Sequence, residues 1–311
     1  MDGLDFAVKY PFTAEARQAI VNLDLNERIV ELGVDRLLQA IKSQNISRIP
    51  VHESDKKEEV ASFAAARMIL GHLRNSYVTN TFAVNESKIV RSKLDREDEH
   101  TIDMVAMRFG IKTNKDGNTI IVDLPTYIKY SPRSPHYRLI NRRIKAGNVE
   151  ITPAEKKRMI EEAVKKHIEI IPLVKDPPDI IKKAAERIIE ELPKTQTQIT
   201  VTPGDYPPCI DRLLESVKKH ENLPHHARWY FATYFLAIHM GEDELVMLFS
   251  NLPDYSEKIT RYQISHAKKK GYSVPSCATV TGYGLCCADC RVGTPIRWHE
   301  LNEQSKSRLK K

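Results

Sequence analysis

The chain has 311 residues, 41% of them hydrophobic and 29% charged, which is typical of a globular protein with room for two or three domains. No apolar run approaches the roughly 20 residues of a membrane span, and the start, MDGLDFAVKYPF, lacks the basic region of a signal peptide, so we expect a cytoplasmic protein without disulfides. The net charge of +7 is compatible with a nucleic-acid partner, because Lys and Arg bind phosphate.

Residues 13 to about 95 have the pattern of packed helices. Thr13 is a predicted N-cap, and RIVELGVDRLLQAI places apolar residues at three- and four-residue spacings. The segment KKEEVASFAAARMIL repeats that pattern with small alanines, which let helices approach closely. Nothing in this region has a catalytic pattern, and we interpret it as a helical packing domain.

A small α/β element follows the acidic run DREDEH. The segment KDGNTIIVDL predicts a hairpin, with a turn at Asp116-Gly117. The segment PHYRLINRRIKAGNVEITP predicts a helix, a turn at Gly147-Asn148 and a second helix capped by Thr152. The sequence thus predicts a mostly α fold, with an α/β insert at about 101–150 in a helical N-terminal body.

A polar stretch divides the chain. The run ELPKTQTQITVTPGDYPP lacks helical periodicity, so we predict a scaffold domain over 1–195, a linker over 196–206 and a second domain over 207–311. All five cysteines follow the linker, and four of them lie between Cys277 and Cys290. The composition and the cysteine content therefore change at the same boundary.

Clustered thiolates repel one another and are costly unless a cation neutralises them. Four thiolates suit an iron–sulfur cluster or structural zinc. Zinc ribbons carry two C-x-x-C knuckles, whereas only Cys287 and Cys290 have that spacing here. Spacing alone leaves three alternatives open: an iron–sulfur cluster, zinc, and cysteines that bind no metal.

Three segments in series carry a family resemblance: YPPCIDRLL, NLPHHARWYFATYFLAI and YQISHAKKKGYSVPSCATVTGYGLC. In this order they resemble the iron–sulfur domain of the large subunit of archaeal and eukaryotic-type DNA primases. Upstream, FGIKTNKDGNTIIVDLPTYI and RLINRRIKAGNVEI are similar to the α/β part of the archaeal subunits. The resemblance covers nearly the whole chain and is strongest in the last third.

The resemblance implies one [4Fe–4S] cluster in a helical C-terminal domain. Its ligands would be Cys209, Cys277, Cys286 and Cys290, with Cys287 as the alternative to Cys286. The resemblance also implies a set of residues that bind the initiating nucleotide and the template: His225, Arg228, Trp229, Tyr262, His266 and Lys268. Ser265 stands where relatives commonly have arginine, and Arg261 with Lys268 to Lys270 could supply that charge.

The chain lacks the clustered carboxylates that hold two metal ions for nucleotidyl transfer, and it has no Gly-x-x-x-x-Gly-Lys loop. The resemblance implies a non-catalytic regulatory subunit, cytoplasmic and nucleoid-associated. It would dock a small catalytic subunit through its N-terminal body and promote initiation of RNA primers on a DNA template. The alternative is a zinc-stabilised nucleic-acid-binding adaptor. An iron–sulfur redox enzyme is disfavoured, because no flavin or nicotinamide motif accompanies the cysteines.

Overall fold

The computed structural model describes residues 3–42, 50–116, 119–132, 134–172, 174–192, 205–301 and 303–309. The chain divides into two compact units, the first made of Met1–Pro132 and Tyr137–Leu192 and the second of Arg133–His136 and Pro193–Lys311. Each unit has an apolar core of its own. The predicted linker over 196–206 lies outside the described residues apart from Asp205 and Tyr206, and it stays a prediction.

The first unit is built mainly from helices. In chain order they are α1 (Gly3–Lys9), α2 (Ala14–Ile20), α3 (Glu27–Ile41), α4 (Glu53–Leu73), α5 (Ser76–Leu94), α6 (Glu99–Met107), α7 (Leu124–Tyr130), α8 (Pro153–Glu169) and α9 (Asp179–Glu190). The Thr13 hydroxyl accepts from the Ala16 N–H and caps α2, as predicted. Thr152 and Glu155 form a capping box at the start of α8.

Helices α3 and α4 approach closely at a glycine. A Cβ added to Gly33 would lie 3.0 Å from the Ala66 backbone nitrogen and 3.1 Å from both the Ala65 Cβ and the Ser62 oxygen. A larger side chain at position 33 would therefore push the helices apart. The close approach predicted from the alanines of α4 is confirmed, and it depends also on this glycine of α3.

An antiparallel sheet of four strands lies within the first unit. Its strands are β1 (Thr113–Asp116), β2 (Thr119–Asp123), β3 (Ile144–Lys145) and β4 (Asn148–Ile151), in the order β1-β2-β4-β3. The predicted β1–β2 hairpin is confirmed. Strand β4 pairs with β2 and buries Val149 and Ile151.

The helix predicted within PHYRLINRRIK is wrong. The structure places two short 3-10 turns at Pro135–Tyr137 and Leu139–Asn141, followed by β3. The physical reason is long-range pairing. The hairpin of β3 and β4 adds to β2, so sheet hydrogen bonds take the place of helical ones.

The second unit is also helical, and the prediction of a mostly α protein is confirmed. Its helices are α10 (Pro208–Lys218), α11 (His225–Ala237), α12 (Glu242–Phe249), α13 (Glu257–Lys270), α14 (Cys277–Gly282) and α15 (Glu303–Leu309). Its core is rich in aromatic rings, since Tyr230, Phe231, Tyr234 and Phe235 of α11 are fully buried. Of all the helices described in either unit, none is long and apolar enough to cross a bilayer.

The end of the chain packs onto the start of the second unit. Trp298 is fully buried, and its indole N–H donates to the Asp205 carboxylate at 3.1 Å. The ammonium of Lys306, on α15, forms an ion pair with the same carboxylate. These contacts fix the C-terminal segment close to the residues that precede α10, and hence close to Cys209.

Candidate functional site

Four cysteines of the second unit border one cavity, which we call the cysteine cavity. Cys209 lies in the first turn of α10, and Cys277 is the first residue of α14. Cys286 and Cys290 lie on the loop that follows α14. The cavity has a volume of about 610 Å³. Its other lining residues come from the same segments and from the chain that follows: Pro207, Ala278, Val280, Thr281, Ala288, Asp289, Arg291, Val292, Gly293 and Pro295.

Cys287 differs from its neighbours on the loop. It is exposed, and it is not among the residues that line the cysteine cavity. The thiols of Cys286 and Cys290 both donate to the carbonyl of Ala288, at 3.2 and 3.7 Å respectively. These two thiols thus share a backbone acceptor at the cavity. The placement favours Cys286 over Cys287 as a candidate ligand.

The local backbone returns this loop to the start of α14. Gly284 and Gly293 have φ angles of +72° and +74°, a region that favours glycine. The N–H of Cys277 donates to the carbonyl of Gly293 at 2.9 Å, and Ser276 caps α14 by accepting from the N–H of Thr279. The loop thiols are thereby held near the first residue of α14.

Side chains of α10 connect this helix to the same loop and to α11. One Arg212 guanidinium nitrogen donates to the carbonyls of Gly284 and Leu285, at 3.1 and 3.0 Å. The Cys209 sulfur lies 3.1 Å from the hydroxyl of Tyr230 on α11. The distant cysteine therefore belongs to the same packed assembly as the other three.

The thiols are disfavoured as free anions. Burial raises the pKa of Cys209 to about 11, and the hydrogen bond to Tyr230 opposes that rise. Burial, followed by the charges of Cys209, Cys286 and Cys277, raises the pKa of Cys290 to about 11. Burial also raises the pKa of Cys277. Thiolate ligands at this cavity therefore require a bound cation to offset their charge.

The donors and the size of the cavity fit an iron–sulfur cluster. Four thiols are the ligand set that such clusters take, and the cavity is much larger than a single ion. Tetrahedral zinc would draw its sulfurs to within about 3.8 Å of one another. Across the ranges described, no three His, Cys, Asp or Glu side chains are grouped so as to hold one metal ion.

A second cavity, of about 470 Å³, lies where α11 faces α13, and we call it the aromatic cavity. Five of the six residues predicted to bind nucleotide or template line it: His225, Arg228, Trp229, Tyr262 and His266. Its remaining lining residues are Ala232, Phe249, Leu252, Tyr255, Thr260, Gln263, Ile264, Ala267 and Tyr272. Residues from two sequence segments thus meet at one site, within a single unit.

Aromatic rings succeed one another along this cavity. The Tyr262 and His266 rings stack at 6.0 Å with an angle of 27° between their planes, and Tyr262 is 70% exposed. Tyr272 lies 5.9 Å from His266 and 6.3 Å from Trp229, measured between ring centroids. Exposed rings in such a series offer faces on which nucleobases can stack.

Sequence reasoning missed Tyr272, although a local signal was present. Gly271 ends α13 with φ +61°, and the N–H of Tyr272 donates back to the carbonyl of Ala267. A glycine in the left-handed region turns the chain back against the last turn of a helix. The pair Gly271-Tyr272 after a helical pattern therefore predicts a ring close to the end of α13.

Arg228 is held in a fixed position. Its Nε donates to the Leu223 carbonyl at 2.8 Å, and one terminal nitrogen lies 2.5 Å from oxygens of both Asn222 and Asp254. It also lines a smaller neighbouring cavity of about 310 Å³, with Asn222, Asp254 and Gln263. The guanidinium thus borders both cavities in one orientation. Sequence reasoning missed Asn222 and Asp254, because neither position carries a motif.

Lys268 lies apart from the other five predicted residues. Its ammonium forms an ion pair with Glu242 of α12 at 2.8 Å, and the Ser265 hydroxyl donates to the same carboxylate at 2.7 Å. Arg261 pairs with Asp243 at 2.6 Å. The acidic first turn of α12 therefore partly neutralises the cations that could have replaced an arginine at position 265.

The fold and the two cavities define a helical protein with a cysteine-centred C-terminal unit. A sequence profile for the C-terminal domain of the eukaryotic and archaeal DNA primase large subunit matches residues 199–307. This match confirms the resemblance of the cysteine segments to the large subunits of archaeal and eukaryotic DNA primases.

Similar proteins extend this relationship beyond the C-terminal unit. The DNA primase large subunit PriL of Methanosarcina mazei is 29% identical over 321 residues, covering 94% of this chain and 86% of that protein. The PriL protein of Methanocella arvoryzae is 28% identical and covers 100% of this chain and 90% of its own length. That of Halobacterium salinarum is 27% identical, with 89% and 87% covered.

Proposed function

We propose that the chain is the non-catalytic, regulatory subunit of a heterodimeric DNA primase, and that it promotes the initiation of RNA primers. The aromatic cavity would bind the initiating nucleotide and the nearby template, and the cysteine cavity would hold a [4Fe–4S] cluster. The observation that carries the proposal is the meeting of His225, Arg228 and Trp229 of α11 with Tyr262 and His266 of α13 at one cavity.

The chemistry of the aromatic cavity supports a nucleotide ligand. A guanidinium offers a rigid fork of donors that matches phosphate oxygens, and Arg228 is already oriented by three protein contacts. His225 lines the same cavity and supplies a second nitrogen group near it. The rings of Trp229 and Tyr272 stand beside these polar groups, where a base could stack while its phosphates contact Arg228.

A nucleotide-binding site of this kind would serve the initiation step. The first step joins two free nucleotides, so the 5′ nucleotide has no duplex to hold it. A subunit that binds this nucleotide by its phosphates and its base converts an encounter of free reactants into an oriented one. The bond chemistry would be supplied by the catalytic subunit, since this chain lacks clustered carboxylates of the kind that bind two metal ions.

The cluster would be held by Cys209, Cys277, Cys286 and Cys290. It would supply the positive charge that makes one buried and three partly buried thiolates tolerable, and it would cross-link α10, α14 and the loop after α14. Tyr230, hydrogen-bonded to the Cys209 sulfur, links this ligand to α11, which carries the aromatic cavity. Loss of the ligands should therefore loosen both sites of the unit.

The partner follows from the family. Relatives carry the printed name DNA primase large subunit, and a large subunit has a smaller partner. We assign docking of that catalytic subunit to the first unit and nucleotide binding to the second. The direct test is co-expression with a small primase subunit, followed by synthesis of primers from free nucleotides on single-stranded DNA. A complex that forms but starts primers no faster than the small subunit alone would contradict the proposed role.

A further inference from the structure

Three arginines of the first unit act on His167: hydrogen bonds place Arg67 and Arg108 near it, and Arg17 is close enough for its charge to affect the imidazole. Arg17 lies on α2, Arg67 on α4, Arg108 just after α6, and His167 near the end of α8. Arg67 donates from one nitrogen to the His167 carbonyl at 3.3 Å and from the other to the carbonyl of Ile170. Separate segments of the chain thus bring four nitrogen-bearing side chains together.

Aromatic packing holds this cluster in place. The His167 ring lies 6.4 Å from the Phe12 ring and 6.0 Å from the Phe109 ring, and these two phenyl rings are 5.4 Å apart. The Nε of Arg108 donates to the Phe12 carbonyl at 3.4 Å. The imidazole is therefore packed between rings, and a hydrogen bond ties the exposed Arg108 side chain to the same arrangement.

The arginines of this cluster differ from most others of the unit in their partners. Elsewhere arginines pair with acids: Arg28, Arg36, Arg91, Arg142, Arg158 and Arg187 each lie within ion-pair distance of Asp or Glu. Among the residues that the structure describes, Arg17, Arg67 and Arg108 have no such partner. Three cations without acidic partners therefore lie around one imidazole.

A comparison of Arg36 with Arg67 shows how an acidic partner changes the pKa of a buried guanidinium. Arg36 is well buried, but Glu59 at 2.5 Å and Glu86 at 3.0 Å offset its burial and raise its pKa. Arg67 is half-buried, and burial alone lowers its pKa. A partly desolvated cation without a counter-charge is costly, so an anion bound beside Arg67 would be stabilising.

The pKa of His167 responds to the positive charges of the same three arginines. Burial lowers its pKa first, and the charges of Arg67, Arg108 and Arg17 lower it further. All three guanidinium groups therefore lie within electrostatic reach of one imidazole. An anion at this position would offset part of that positive charge.

We propose that Arg17, Arg67, Arg108 and His167 form a site for the backbone phosphates of a nucleic-acid strand. Guanidinium groups match phosphate oxygens, and contacts of this kind position a strand without reading its bases. The rings present do not serve as base platforms, since Phe12 is buried and Phe109 packs against the core. The site lies in the first unit and does not depend on the aromatic cavity.

The test uses the full chain and a short oligothymidylate. Arginine side chains are modified with phenylglyoxal in the presence and absence of the oligonucleotide, and modified peptides are quantified by mass spectrometry. We expect the oligonucleotide to protect Arg17 and Arg108 severalfold and to leave Arg187, which is paired with Glu31, unprotected. This readout is specific to a residue, so binding at the second unit does not obscure it.

A matched pair of double variants completes the test. Arg17→Gln with Arg108→Gln removes two exposed charges from the cluster, and Arg28→Gln with Arg187→Gln removes two exposed charges elsewhere in the unit. We expect the first pair to weaken oligonucleotide binding roughly tenfold or more. It should also lower the dependence of log K on log salt by about 0.7 for each phosphate that is no longer bound. The control pair should change the affinity less than about twofold.

Results of three kinds would overturn the proposal. The first is equal modification of Arg17 and Arg108 with and without the oligonucleotide, or equal affinities of the two double variants. The second is protection by ATP without protection by the oligonucleotide, which would assign the site to free nucleotides. The third is protection by polyglutamate alone, which would assign it to an acidic protein segment. Thermal unfolding of the variant with Arg17→Gln and Arg108→Gln checks that its fold is retained.

Discussion

Arg228 and Asp254 form an ion pair at 2.5 Å, and their side chains are only 23% and 19% exposed. Asp254 lies on the loop before α13, whereas Arg228 lies in the first turn of α11. The pair fixes the orientation of the guanidinium at the edge of the aromatic cavity, and it also neutralises part of the charge that would attract phosphate. Both consequences can be tested separately.

Arg228→Ala should cripple initiation. Losing one charge-assisted contact to a triphosphate costs about 1.5–3 kcal/mol, which is roughly tenfold to a hundredfold in nucleotide affinity. Extension of a pre-made primer without a 5′-triphosphate should be nearly unchanged, because the catalytic subunit supplies that chemistry. Primer synthesis by the reconstituted heterodimer measures both activities. Equal losses in initiation and extension, with the iron content retained, would assign Arg228 to folding or to general template binding.

Asp254→Asn should separate orientation from neutralisation. The amide oxygen can still accept the hydrogen bond from Arg228, so the guanidinium keeps its orientation while its charge is no longer offset. We expect nucleoside triphosphate to bind severalfold more tightly, as measured by calorimetry. Asp243→Asn, at an exposed acid paired with Arg261, is the control of equal charge. Weaker binding by the Asp254 variant would mean that the ionised carboxylate is required to position Arg228.

Cys209→Ser and Cys287→Ser should differ. Cys209 lines the cysteine cavity, and its loss should abolish the cluster and destabilise the second unit. Cys287 is exposed and does not line the cavity, so its replacement should be mild. Iron, labile sulfide and zinc are measured after anaerobic purification, together with thermal unfolding. Loss of iron on replacement of Cys287 would reverse the choice between Cys286 and Cys287, and stoichiometric zinc in the wild-type protein would favour the adaptor alternative.

A chain ending near Gln196 should bind the small subunit but fail to stimulate initiation. The reason is modular, since each unit has its own core and the cysteine and aromatic cavities both lie in the second. Co-purification and primer synthesis measure the two properties. If the shortened chain starts primers as well as the full chain, the assignment of nucleotide binding to the second unit is wrong.

His167 should make the stability of the first unit sensitive to pH. Burial and the neighbouring arginines lower its pKa below the ordinary value of 6.5, so the folded protein favours the neutral ring. Below pH 6.5 the unfolded chain therefore binds more protons than the folded protein. The free energy of unfolding is highest above pH 6.5, and it falls as the pH drops through the folded pKa of His167. Urea unfolding at several pH values should show that His167→Gln reduces this decline.

The exposed His72→Gln is the control for that measurement. The same decline in both variants would assign the pH effect to other groups. If the arginine cluster binds phosphate, added oligothymidylate should also lessen the decline in the wild-type protein, because an anion beside His167 favours the protonated ring.

Much of the architecture could be predicted from local patterns. The helices of the first unit follow from apolar spacing and from caps such as Thr13 and Thr152, since helix hydrogen bonds and caps form between residues close in sequence. The family could be inferred from the cysteine segments, whose order and flanking residues are themselves linear signals. The β1–β2 hairpin was readable for the same reason.

Tertiary structure decided what depends on partners distant in sequence. Local pattern predicts a helix in the segment before β4, whereas the structure has 3-10 turns and strand β3 there. The reason is that β4 pairs with β2, and this pairing of distant residues has no local sequence signal. No sequence pattern predicts that Asp254 pairs with Arg228. Lys268 pairs with Glu242 of α12 and does not line the aromatic cavity. Residue type and spacing in the sequence indicate the side chains that we propose carry the chemistry. Only packing decided which of them meet, because the charge and burial that each one experiences come from neighbours brought close by the fold.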